Sequence, residues 1–283
     1  MDLLGAGTLL LVIALAGLVL SSWQQMHRRG KMPPGPTPLP LIGNLLWIDQ
    51  NNLPNSLIKL SKKYRLVYML QLGPRRIMVL CGYEAIKEAL VDQANEFWDW
   101  GLHGTFDWIF QGHEKIHEEI DRVVGVNQTP RMEDRLQMPY TEAMIHEIQR
   151  FGDIVPLGLP RRVTRDVQLR GYTIPKGTEI FPMLGTAMRD PKHFARPEEF
   201  DPQHFLDQKG QFQKNEAFIP FSTGKRYCFG EHLARAELFL FLTSILQHFR
   251  FKSAVPPEDI DLSPMLVGFA TIPQFYEFSV ILR

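Results

Sequence analysis

Phe221-Ser222-Thr223-Gly224-Lys225-Arg226-Tyr227-Cys228-Phe229-Gly230 sets one cysteine between glycines, directly before a long apolar run that starts near Glu231. A thiolate is the metal-binding and nucleophilic form of cysteine, and it persists beside positive partners. Free N–H groups and the dipole of a helix N-terminus would favour negative charge at Cys228. Arg226 offers a planar fork that matches a carboxylate. Gly224 allows a turn with positive φ, and Gly230 lets the backbone come close to a flat group. Phe221 would wall the sulfur from water and so set the dielectric around it. Together these residues describe a thiolate ligand for a metal carried in a flat, carboxylate-bearing group. The plain alternative is a buried cysteine ahead of a helix, which has no need for Phe, Gly, Arg, Cys and Gly in this order.

Every fixed position of Phe-x-x-Gly-x-Arg-x-Cys-x-Gly is filled here, and in this the chain resembles the cytochrome P-450 haem-thiolate monooxygenases. The resemblance implies haem b (iron protoporphyrin IX) ligated by Cys228, with Arg226 on a propionate. Glu147-Ile148-Gln149-Arg150 matches the family's Glu-x-x-Arg, whose i, i+3 spacing puts both charges on one helix face; alone it would be a surface pair of little worth. Asp201-Pro202-Gln203-His204-Phe205 is similar to the next motif, with His204 where many members carry arginine, so the ion network that holds the cysteine loop is expected to be weaker or pH-sensitive. For Arg161 two readings stay open, a second propionate partner and a solvated charge. The resemblance puts Phe106, Val155, Leu159 and Phe269 at the substrate pocket, and it is nearest to the microsomal drug-, steroid- and coumarin-oxidising members.

The 283 residues carry 45% hydrophobic content and a formal net charge of zero, enough for a large core or two domains and no signature of a nucleic-acid partner. Cys81 and Cys228 are the two cysteines, far apart in different patterns, which argues against a disulfide framework. Cys81 ends an apolar run and reads as core.

Leu3 to Leu20 is uncharged and apolar, about the length that spans a hydrocarbon core. A cleaved signal peptide is the alternative, but Asp2 replaces a basic n-region and Met26 to Lys31 offers no small-residue cleavage site. Arg28, Arg29 and Lys31 follow the span, which places the body in the cytosol. The expected organisation is a transmembrane anchor over 1–23, a basic, Pro-rich hinge over 24–38 containing Pro33-Pro34-Gly35-Pro36, and a catalytic domain over 39–283. Resemblance assigns the anchor to the endoplasmic-reticulum membrane. It also implies NADPH-cytochrome reductase and a cytochrome b-type protein as electron donors, and drugs, steroids, fatty acids or other lipophilic xenobiotics as substrates.

Periodicity predicts helices over 53–64, 83–91, 112–124, 139–151 and 231–249, and a hairpin from Leu66–Leu72 and Arg76–Cys81. Short strands of one small sheet are expected at 163–169, 172–174 and 180–181, and a C-terminal hairpin from 267–273 with 278–282. The run Leu238 to Leu246 is apolar nearly all round and predicts a buried helix. The fold class is α+β, mostly α-helical.

His113-Glu114-Lys115-Ile116-His117 matches H-E-x-x-H, which on a helix could hold zinc in a metallopeptidase. Against it, Ile116, Ile120, Val123 and Val124 recur as a packing face, and Ile120 occupies the glycine of the extended motif. His117 to Gly125 also resembles a mid-chain helix of the microsomal monooxygenases. No Trp-x-x-x-Arg and no Ala-Gly-x-Asp/Glu-Thr oxygen-activation motif occurs in the chain. The family's central helices are therefore expected to be deleted near 112–116, as in an alternatively spliced or otherwise truncated form of low or no activity. A catalytically silent form that competes for the reductase is the alternative.

Overall fold

A computed structural model describes residues 32–39, 42–49, 52–73, 75–92, 113–253, 264, 266–268, 270–272 and 278–283. The stretches 3–20 and 98–110, and with them Phe106, lie outside the described residues, as do Phe269 and the side chain of His113. No helix among the described residues is long and apolar enough to cross a membrane.

Helix α1 (Leu53–Tyr64) leads into the hairpin β1 (Val67–Leu72) and β2 (Arg75–Cys81), paired Val67 to Leu80 through Leu72 to Arg75. Val67–Leu70 of β1 and Ile77–Cys81 of β2 are apolar without a break because both faces are covered there. Val67, Met69, Met78 and Leu80 enter one core cluster, while Tyr68, Leu70, Ile77, Val79 and Cys81 enter another beneath Leu57 and Leu60 of α1. Cys81 is buried there, as its pattern predicts, and burial pushes its thiol up to about 12. Pro34 accepts a 2.8 Å hydrogen bond from the Met69 amide. A Cβ on Gly35 would stand 2.0 Å from the Met69 carbonyl oxygen, so the proline segment docks on β1 only with glycine at that place.

Helix α2 (Tyr83–Lys87) runs on as one π-helical turn, Glu88–Asp92. Helix α3 (His113–Val123) and helix α4 (Pro139–Gly152) then pack with helix α6 (Glu231–His248) around Ile116, Ile120, Met144, Ile145, Phe239, Leu242 and Leu246. Between α4 and α6 lie β3 (Arg161–Arg162), the hairpin β4 (Val167–Leu169) with β5 (Tyr172–Ile174), β6 (Glu179–Met183) and helix α5 (Leu184–Met188). Strand β6 joins β2 in parallel and β3 antiparallel, which gives a four-stranded sheet in the order β1-β2-β6-β3.

Three sequence expectations are corrected. The strands after residue 160 do not make one small sheet: β4 and β5 stand apart as a pair, and β6 belongs to the sheet of β1 and β2. The C-terminal hairpin closes earlier, with β8 (Leu266–Val267) on β9 (Thr271–Ile272), and β10 (Phe278–Leu282) pairs instead with β7 (Phe249–Ser253). Strand β7 leaves α6 with its ladder open, and β10 satisfies it. Helix α6 is not buried all round, because α3 and α4 cover only one side of it. Leu233, Phe241 and Ile245 remain 65%, 65% and 42% exposed.

Candidate functional site

The cysteine loop descends from Phe218 and Ile219 in a turn that ends at the first residue of α6. The Cys228 amide donates to the Phe221 carbonyl at 2.9 Å and the Glu231 amide to the Cys228 carbonyl at 3.2 Å, so the loop closes on itself and hands over to the helix. Gly224 takes φ +76° as its place in the turn requires, and Ser222 takes φ +63°, a conformation that L side chains adopt rarely. Cys228 is half-buried. A Cβ on Gly230 would start 3.7 Å from its sulfur, in space the glycine leaves open.

Arg161 comes to this loop from the edge strand β3. Its Nη2 donates to Ser222 Oγ at 3.1 Å and to the Arg226 carbonyl at 2.9 Å. At 3% exposure it is no solvated charge. Burial, and after it the neighbouring Arg226 guanidinium, pulls Arg161 down to about 10. Two cations held together beside a thiol are the donor set for a flat group that carries both a metal and carboxylates. The residues present therefore fit haem.

A second cluster centres on α4. Glu147 and Arg150 on α4 are both fully buried, with paired contacts of 2.7 Å from Nε and Nη2. Arg150 Nη1 also donates to the carbonyls of Met188 and Pro197 at 3.1 and 2.7 Å, and Nη2 to that of Glu199 at 2.7 Å. All five guanidinium hydrogens are thereby used. Glu147 Oε1 accepts from the Asp201 amide at 2.7 Å, and His204 Nδ1 lies 3.3 Å from both carboxylate oxygens. The Arg196 amide donates to His204 Nε2, which leaves Nδ1 as the ring nitrogen that faces Glu147. The Glu-x-x-Arg pair is thus an interior knot that ties the segment 188–201 to α4, not a surface bridge.

Val155 and Leu159 are half-buried on the segment between α4 and Arg161. The β8–β9 hairpin is fastened to that segment, with the Thr271 amide on the Ile154 carbonyl at 2.9 Å and its hydroxyl on the Asp153 carbonyl at 2.7 Å. On α3, Ile116 and Ile120 face the core beside buried His117, while Glu114 points to solvent. Among the described residues no three His, Cys, Asp or Glu side chains cluster as metal ligands.

Sequence reasoning missed Ser222, His146 and Arg235. Ser222 gives no signal apart from the glycine two places on. Arg235 carries one local hint, its i, i+4 spacing from Glu231, with which it pairs at 2.8 Å.

Fold and loop together define a haem protein with a cysteine ligand motif. A family model described as Cytochrome P450 matches residues 33–109 and 111–280, and the chain belongs to that family. Within it the chain is a family-2 member, a monooxygenase oxidoreductase with haem as cofactor. It is 35% identical over 489 residues to Cytochrome P450 2A5 of Mus musculus, covering 97% of this chain and 99% of that protein. Cytochrome P450 2A13 of Homo sapiens is 34% identical over 492 residues (98% and 100%), and Cytochrome P450 2A3 of Rattus norvegicus 34% over 492 residues (98% and 100%). A chain of 283 residues cannot fill 489 aligned places, and the coverage reaches both ends. The relatives therefore carry an internal block without counterpart here.

Proposed function

We propose that this chain binds haem through Cys228 and is a monooxygenase of lipophilic small molecules by descent, whose short form turns over little or nothing. The observation that carries this is the contrast between an assembled cysteine loop, with Arg161 buried against Arg226, and the bare outer side of α6 beside it. When bound, haem supplies the transfer of one oxygen atom from O2 to a substrate carbon, with electrons from NADPH-cytochrome reductase or a cytochrome b-type donor. Arg226 and Arg161 would hold its propionates, Phe221 would exclude water at the sulfur, and Gly224 and Gly230 would give the backbone its turn and its close approach. Glu147, Arg150 and His204 would hold the cysteine loop in place. Val155 and Leu159, with Phe106 and Phe269 outside the described residues, would line the substrate side.

The missing block would contain the helices over the opposite face, and its loss removes three things. The absent Trp-x-x-x-Arg takes away a propionate partner. The absent acid and threonine take away the general-acid relay that a positioned side chain supplies, and the absent wall takes away water exclusion. The junction is read near 112–116. The body, 39–283, is read as cytosolic, held to the endoplasmic-reticulum membrane by the 1–23 anchor and the 24–38 hinge. The exposed apolar side of α6 favours a second reading, a silent anchored form that competes for the reductase.

The deciding experiment is the carbon-monoxide difference spectrum of the reduced, purified chain, followed by turnover with reductase and a panel of lipophilic substrates. A thiolate haem spectrum lost in Cys228→Ser is expected, with little coupled product. A spectrum that survives Cys228→Ser, or product at the rate of a complete family member, would overturn the respective half.

A further inference from the structure

Arg235 occupies the first turns of α6 and reaches in three directions. Its Nε donates to Glu231 Oε1 at 2.9 Å, and its Nη1 lies 2.8 Å from His146 Nε2 on α4. Its guanidinium carbon stands 5.3 Å from the ring centre of Phe221 and 5.4 Å from that of Phe218. His146 is as firmly held. Its Nδ1 sits 2.8 Å from the Glu142 carbonyl, and its ring meets Phe205, Phe212 and Phe218 at 5.3, 4.6 and 4.8 Å.

Arginine has no acceptor, so the imidazole must accept at Nε2 and carry its hydrogen on Nδ1. Burial, followed by the charge of Arg235, drives His146 down to about 3, which favours the neutral, accepting imidazole. Phe221 in turn fixes the cysteine loop through its backbone, since its carbonyl takes the Cys228 amide.

We propose that Arg235, braced by His146 and Glu231, is a positioning residue that clamps the Phe221 ring and so keeps the cysteine loop closed around Cys228. Helix α4 then reaches the loop through His146 and Arg235, and separately ties down the chain after α5. Glu147 and Arg150 secure the segment 188–201, and His146, the residue before Glu147, secures Phe221 by way of α6. The effect on haem rests on the proposed function above; the effect on the loop does not.

Backbone hydrogen exchange of the purified full chain, with and without haem, tests the clamp. Without haem, Arg235→Gln is expected to raise exchange at the Cys228 amide about tenfold, the factor that corresponds to losing ~1.4 kcal/mol of local protection, while amides of β1 and β2 keep wild-type rates. His146→Leu should do the same. His146→Gln, which retains an acceptor for Arg235, should keep most of the protection. With haem, Arg235→Gln should move the reduction potential to a more negative value, because a cation near the site favours the reduced state. Wild-type exchange at Cys228 in Arg235→Gln would overturn the clamp. If Arg235→Gln also loosens the sheet, the His146 pair decides, and equal exchange in His146→Leu and His146→Gln overturns it. A wild-type chain that takes up no haem would sink the haem reading and leave the exchange result standing.

Discussion

Helices α4 and α6 share one core cluster, yet they meet their surroundings in opposite ways. From Thr141 to Arg150, α4 exposes almost nothing, and its charged residues end in a fully hydrogen-bonded knot. Helix α6 buries Phe239, Leu242 and Leu246 on one side and leaves Leu233, Phe241 and Ile245 in solvent on the other. The partners of α4 lie in the chain after residue 113. On the proposal made above, the outer partners of α6 belong to the internal block that the relatives carry and this chain lacks. A helix keeps the sequence its full surroundings selected, so apolar composition records a former environment as readily as a present one.

The largest way to break the contrast is to attack the knot. Removing one member of a buried, hydrogen-bonded ion pair leaves the other charge uncompensated, at a cost of about 3–5 kcal/mol. Arg150→Ala should therefore lower the urea unfolding free energy by that amount and release the segment 188–201, which loses its carbonyl contacts at Met188, Pro197 and Glu199. A loss below about 1 kcal/mol, the range of exposed pairs, would show that the knot does not hold the fold.

Next comes the inner side of α6. Leu246 is fully buried in the cluster shared with α3 and α4, and Leu246→Ala should cost about 2–5 kcal/mol through lost transfer energy and the cavity left behind. A change in unfolding midpoint no larger than that of a surface substitution would mean that α6 is loosely attached on this side too.

Much of this was legible beforehand, and what was not has physical reasons. The helix α1 and the β1–β2 hairpin follow from local period, and the cysteine loop from residue types that only one chemistry needs together. Strand β3 has two residues, too few to show an alternation, so nothing in the sequence announced that Arg161 would be fixed to an edge strand with Ile180 opposite. The pairing of Arg235 with His146 joins residues 89 apart and leaves no periodic trace. The outer side of α6 misled because apolarity predicts burial only where a partner exists to provide it.

A third test concerns the C-terminal end of α4, where the knot gives way to strain. Asp153 is buried with Oδ1 lacking a hydrogen-bond partner, while Oδ2 takes Arg189 at 3.1 Å. Desolvation raises its pKa from 3.8 to about 6, against the opposing pull of Arg189 and Arg150. The folded chain thus binds a proton where the unfolded chain has released it. The stability this group contributes is complete below 3.8 and is lost as the pH rises through about 6. Asp153→Asn should accordingly gain on the wild type across that window in urea midpoints taken at a series of pH values. A difference that stays constant with pH would remove Asp153 from the account.

The smallest effect on stability, and the sharpest on the comparison, should come from the outer side of α6. Phe241→Gln removes a ring that is 65% exposed and four residues from both Glu237 and Ile245 on the same face. Glutamine is as good a helix former as the position needs. With no cavity created and no partner lost, the unfolding free energy should move by no more than about 0.5 kcal/mol. Association should change far more, because contiguous exposed apolar surface promotes it. The variant is expected to stay monomeric at concentrations where the wild-type chain self-associates, and to bind less of a hydrophobic dye. Light scattering and dye fluorescence on matched samples measure both. A loss of stability like that of Leu246→Ala would mean that Phe241 is already packed against a partner, and α6 would then be enclosed on both sides as α4 is.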